Sequence, residues 1–151
     1  MKKILILLIL VYGHLYALER ESTLKMYHQI FSALVHKPSI RVYTNDKEYQ
    51  EIFVYSKRLV LTDDPATSDI VLITDRSSLF KMMREQQWMN EQTEKPILFV
   101  TDYRLLKYSF DIVGAFYWKK GRSQLLFIKN RLDARHLTLP AEYQSFTVDE
   151  L

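Results

Sequence analysis

The chain predicts a single α/β domain of three layers, a mostly parallel sheet with an antiparallel C-terminal hairpin at its edge. Three observations predict it. Short β-type runs alternate with helical patterns from Ile40 to Phe110. Two runs, Ile70-Val71-Leu72-Ile73 and Ile97-Leu98-Phe99-Val100, are apolar throughout, as strands covered on both faces are. Residues 113–130, VGAFYWKKGRSQLLFIKN, set two apolar runs around a Lys120-Gly121 tip, the composition of a tight hairpin turn. A chain of 151 residues encloses one sizeable core, and every connection is short, so one domain is the economical organisation.

The N-terminus reads as a secretory signal. Met1-Lys2-Lys3 is charged, Ile4 to Val11 is apolar, and Tyr12-Gly13-His14-Leu15-Tyr16-Ala17 ends on a small residue. Cleavage after Ala17 would leave residues 18–151 as the mature domain. A retained anchor is the alternative, but the apolar run breaks at Gly13 and His14, short of the about 20 residues that span a bilayer.

Glu21 to His36 then reads as a helix, with Leu24, Tyr27, Ile30 or Phe31, and Leu34 on one face and Ser22 or Thr23 as its cap. Pro38 stops it. Ile40 to Thr44 alternates as a strand. Asn45 with Glu48 resembles a capping box, opening a helix that turns Tyr49, Ile52 and Phe53 inward. Arg58 to Thr62 reads as a second strand, and Asp63 to Ser68 as a turn. The Ile70 strand leads into a helix capped by Ser77 or Ser78, with Leu79, Phe80 and Met83 inward, running to about Gln92. After the Ile97 strand, Tyr103 to Phe110 forms a short helix. In the hairpin, a two-residue loop opposes Trp118 to Ser123, Phe116 to Leu125 and Gly114 to Phe127 on one face. On the other face Lys119 meets Arg122, Tyr117 meets Gln124, and Ala115 meets Leu126. Lys119, Lys120 and Arg122 gather at the tip, which must stand in water or meet an anionic partner.

Charge and composition narrow the function classes. The chain carries 21 basic and 18 acidic residues, and loss of Lys2 and Lys3 with a signal leaves 19 against 18. The pI near 9.0 therefore argues poorly for nucleic acid. There is no cysteine, so no disulfide, thiolate nucleophile or cysteine-held metal. Only Gly114 and Gly121 follow the signal, too few for a phosphate-cradling loop. No H-E-x-x-H or G-x-S-x-G occurs, and His28 and His36 stand too far apart for an i,i+4 metal pair. No metal, no cofactor and no enzyme activity is the expectation.

The candidate binding residues lie where strands end. Asn45, Asp75, Arg76 and Asp102, with Thr44 and Thr101, would line the crevice beyond the carboxyl ends of a parallel sheet. Alternatively they cap helices and start turns. A phosphoacceptor receiver would need a lysine on the strand Val113–Trp118, which has none. Trp88, Tyr103 and Tyr117 are candidate aromatic contacts, Trp88 in a stripe with Met82, Met83 and Met89 that either docks or packs.

The order of these pieces resembles the YfiR-like periplasmic proteins. Gly114, Gly121, Arg122, Phe127, Ile128, Asn130, Leu132, Ala134 and Leu137 match that family's strand, turn, strand and short helix. Lys25, Tyr27, Phe31, Pro38, Ile40 and Val42 fit its first helix and strand, and Pro96, Leu98, Val100 and Asp102 its "PVLTVSD" strand. The chain departs from it by one missing glycine before the hairpin, by Lys37 where a tryptophan precedes the proline, and by lacking redox disulfides. The resemblance implies a periplasmic regulator, not an enzyme. It would dock on the periplasmic sensor region of an inner-membrane signalling protein, typically a diguanylate cyclase of cyclic-di-GMP signalling, and reach the membrane only through that partner. A small-ligand sensor feeding a histidine kinase or transporter is the alternative, a hydrolase ranks last, and a homodimer stays open.

Overall fold

The structure, a computed structural model, describes residues 2–86 and 94–151, with side chains over 16–85 and 94–151. The chain runs α1 (Lys2–Leu34), β1 (Ile40–Tyr43), α2 (Lys47–Phe53), β2 (Leu59–Leu61), a 3-10 turn at Pro65–Thr67, then β3 (Ile70–Ile73) and α3 (Arg76–Gln86). β4 (Ile97–Val100), a 3-10 helix at Tyr103–Tyr108, β5 (Ile112–Lys119), β6 (Arg122–Ile128) and α4 (Lys129–Ala134) follow. A 3-10 helix at Ala141–Phe146 and β7 (Thr147–Val148) complete it.

All seven strands form one sheet in the order β2-β1-β3-β4-β5-β6-β7. β1 to β5 are parallel, and β6 returns antiparallel to β5. The short β7 adds outside β6, beside Phe127 and Ile128, a strand the sequence pattern did not reveal. From β1 the chain steps one way to β2, and from β3 the other way to β4. Right-handed crossovers then place α2 and α3 on opposite faces, and the core divides accordingly. On one face Tyr27, Ile30, Phe31 and Leu34 of α1 and Ile52 and Phe53 of α2 pack on Val42, Leu72, Phe99 and Phe127. On the other, Leu79 and Met82 of α3 and Leu105 and Leu106 cover Val71, Ile73, Leu98, Val100 and Ile112. β3 and β4 are buried at every position, which is why their runs are apolar without alternation.

Tyr27 is the hub of the α1 face. It is wholly buried, and its ring meets Phe31, Tyr49, Phe53 and Phe116 at centroid distances of 5.2, 5.5, 5.5 and 5.6 Å. These are edge and tilted contacts of the kind aromatic quadrupoles favour.

Several boundaries differ from the sequence expectation. α1 passes unbroken through Ser22 and Thr23, so neither caps it, and it ends at Leu34. The good helix formers Leu18-Glu19-Arg20-Glu21 give no reason to stop there. α2 is capped by Asp46, not Asn45: the Asp46 carboxylate accepts from the backbone N–H of Glu48 (2.9 Å) and Tyr49 (3.3 Å). The cap of α3 is Asp75, which accepts from Ser78 N–H at 2.9 Å and Ser78 Oγ at 2.7 Å, so Ser78 is its partner. Phe80 is surface-exposed, and Met82, three residues on from the buried Leu79, is buried in its place. Trp88, Met89 and the expected end of α3 near Gln92 lie outside the described residues.

The hairpin has the register its two-residue loop demands. Gly114 to Lys119 pair in order with Phe127 to Arg122. Lys120 and Gly121 both take positive φ, 51° and 73°, the turn whose twist matches a strand pair.

Candidate functional site

The strand order reverses between β1 and β3, so the crevice expected of such a sheet lies beyond Tyr43 and Ile73. The cavity there measures about 10 Å³ and is lined by Tyr43, Asn45, Thr74, Ser78 and Met82. That volume holds at most one water. The Tyr43 hydroxyl donates to Asn45 Oδ1 across its mouth. Wider openings lie elsewhere. One of about 540 Å³ sits at the opposite, amino-terminal edge between Lys37, Arg41, Asp69 and Arg135.

The strand-end carboxylates are engaged locally. Asp75 binds Ser78, whose hydroxyl and N–H hold its carboxyl below the usual carboxylate range. Asp102 starts the Tyr103–Tyr108 turn by accepting from Arg104 N–H, and it accepts from Arg104 Nη2 at 2.7 Å. The Arg104 side chain is what lowers the Asp102 carboxyl. Asn45 lines the small cavity beside Thr74 and Ser78, the partner of Asp75, and Asp102 is not part of that lining.

The structure packs Tyr103 on Tyr117 and sets Arg76 at the far end of the same 3-10 helix, against Tyr108. The Arg76 guanidinium carbon lies 4.8 Å from the Tyr108 ring centre and 5.2 Å from that of Phe80. Those two rings stand edge to face at 5.6 Å. Lys107 Nζ is 5.1 Å from the Tyr108 centre. At the other end of the same 3-10 helix, Tyr103 packs on Tyr117 at 4.8 Å, and Lys119 Nζ lies 5.4 Å from the Tyr103 centre. The result is a strip of cations and aromatic faces running from α3 along Tyr103–Tyr108 to the hairpin. Arg76, Lys107 and Lys119 have no carboxylate partner among the described residues. Each cation–ring contact contributes about 0.5–1 kcal/mol at an exposed site. That is enough to hold the side chains in place while their outer faces stay open. Tyr108 and Lys107 were not singled out from sequence, and Phe80 was expected to face inward. Their four- and five-residue offsets from Arg76 and Tyr103 carry no motif, and only the packing of α3 against Tyr103–Tyr108 joins them.

The strip rests on a rigid base. Arg131 of α4, buried although it is an arginine, donates through Nη1 to the carbonyls of Leu106, Ser109 and Ile112, each at 2.9 Å. It ties the end of the 3-10 helix to the start of β5. Burial pushes its pKa down.

No protein-family model matches the chain, and no curated protein matches it. The resemblance to YfiR-like proteins rests on the residues and spacing given above.

Proposed function

We propose that the protein is a regulatory binding protein of the periplasm, exported by a cleaved N-terminal signal, and not an enzyme. It docks on the periplasmic sensor region of an inner-membrane signalling protein, of the diguanylate cyclase kind that the YfiR-like resemblance implies. By binding one state of that sensor more tightly it shifts the partner's equilibrium; only such differential affinity can regulate. The observation that carries this reading is the strip Arg76, Phe80, Tyr108, Lys107, Tyr103, Tyr117 and Lys119. Tyrosine and arginine dominate the energetics of protein interfaces, and here they sit on a buried, braced sheet end. Their unpaired positive charge suits a partner surface that is acidic.

The test is calorimetric titration of the full chain with the purified periplasmic domain of the membrane signalling protein encoded beside it. Binding is expected, and Tyr103→Ala weakens it on the order of 30-fold, the effect of losing an interface anchor. Tyr55→Ala, an exposed tyrosine past the end of α2, leaves it unchanged. Absence of binding, or equal loss from both variants, contradicts the proposal.

A further inference from the structure

The hairpin outruns the sheet. β4 ends at Val100, paired with Ala115, while β5 continues through Phe116 to Lys119. Four more residues at about 3.3 Å each carry the turn about 13 Å beyond its neighbour. Trp118, near the tip, is 70% exposed, unusual for so large an apolar side chain. Lys119, Lys120 and Arg122 are exposed around it, and none has a carboxylate partner among the described residues.

Further residues of the same character stand at this end. Tyr16 and Arg20 of α1 line a cavity of about 260 Å³ together with Phe116, Trp118 and Ser123. Tyr16 is half-exposed, with the Arg20 guanidinium over its ring at 4.7 Å. Residues 16–26 of α1 therefore pass beside the hairpin. The acidic groups sit differently. Glu51 is paired with Arg20, and Asp102 with Arg104. Glu19 and Glu48 line the same cavity as Trp118. Asp46 and Asp75 are engaged as the caps of α2 and α3.

An exposed tryptophan set among lysines and an arginine on a protruding turn is the composition of a protein surface at the membrane–water boundary. We propose that this end of the molecule rests directly on an anionic phospholipid bilayer. Lys119, Lys120 and Arg122 lie among the phosphate headgroups and Trp118 reaches the acyl boundary. This contact shares Lys119 with the strip, while Lys120, Arg122 and Trp118 belong to it alone and distinguish it from docking on a membrane protein. It orients the molecule hairpin-down, with the cation–aromatic strip rising from the membrane surface.

The test uses the full chain carrying Trp88→Phe, which leaves Trp118 as its one tryptophan of two. Vesicles of phosphatidylglycerol and phosphatidylethanolamine with brominated acyl chains are compared with brominated phosphatidylcholine vesicles. The expected result is a blue shift and bromine quenching of Trp118 on the anionic vesicles. Replacing Lys120 and Arg122 together by Gln weakens this contact on the order of 30-fold, at about 1 kcal/mol per basic residue. The comparison is repeated on residues 18–151, the mature form proposed above, because insertion of the apolar N-terminal run would by itself bring Trp118 to the bilayer. Vesicle-bound chain with unquenched Trp118, no binding to anionic vesicles, or equal quenching on both lipids overturns the proposal. So does a Trp118 that responds to a sensor domain and not to vesicles, which would make the tip a protein contact. Should Trp88→Phe fail to fold, a fluorophore on Ser123→Cys in this cysteine-free chain gives the same reading.

Discussion

At the scale of single residues, the ends of helices show what the side chains decide. His136 follows α4 with φ 55°, and its N–H donates to Asp133 while Leu137 N–H reaches back to Leu132. This is the left-handed termination that usually takes glycine. His136→Gly is therefore expected to raise stability by roughly 0.5–1 kcal/mol, read as a higher urea midpoint; an unchanged or lower midpoint would contradict it. Asp69 is the second such residue. Burial alone would raise its carboxyl, but hydrogen bonds from Lys37 Nζ (2.7 Å), Arg41 N–H (2.8 Å) and Arg41 Nη2 (3.3 Å) outweigh burial and hold it below the usual value. A carboxyl lowered by folding contributes stability above its unfolded pKa and loses it as pH falls through the folded one. Melting temperature should therefore fall on acidification below about pH 4. Asp69→Asn should melt lower at neutral pH and lose less on acidification; an unaltered acid slope would remove Asp69 from the account. The sequence located the caps of α2 and α3 to within one and two residues and missed the residue itself. Asn45 and Asp46 have the same capping chemistry, as do Asp75 and Ser77, and only backbone direction chooses between them.

At the scale of elements, the hairpin was legible because two physical constraints coincide. A two-residue loop with both φ positive fixes the register, and period-two side chains make any slip exchange the two faces. Gly114 adds a third constraint that sequence does not display. A Cβ there would meet Leu126 O at 2.6 Å, Phe127 Cδ1 at 2.9 Å and Phe99 Cε2 at 2.9 Å. One of the three is backbone and cannot swing away. The adjoining register irregularity between Leu98 and Phe99 brings β5 close to β4 at this point. Gly114→Ala is expected to cost about 1–3 kcal/mol of overpacking in a urea titration, with the fold retained. Wild-type stability would mean the strands can part here. β7, by contrast, was illegible. Two residues carry no periodicity, and Thr147–Val148 pairs with β6 because the tail is steered there. Phe127 packs on Tyr143 at 5.9 Å, and Asp149 O accepts from Asn130 N–H at 3.1 Å.

For the whole molecule, a mostly parallel sheet buried on both faces followed from the alternation of apolar runs and helices, since right-handed crossovers leave few other arrangements. The surface features did not follow. Arg131 reads in sequence as a solvated helix cation, and only the fold turns it onto three carbonyls. Arg76 and Tyr108 are 32 residues apart by their numbers and become neighbours through the packing of α3 against Tyr103–Tyr108. The central claim is that this joint surface is where a partner binds. Backbone hydrogen exchange of the full chain, with and without the neighbouring sensor domain, tests it most directly. The account predicts slowed exchange on complex formation across residues 76–80 and 103–108 and in the distal part of β5, with α2 and β2 unaffected. Protection centred on α2 and β2, with none over 103–108, would contradict it.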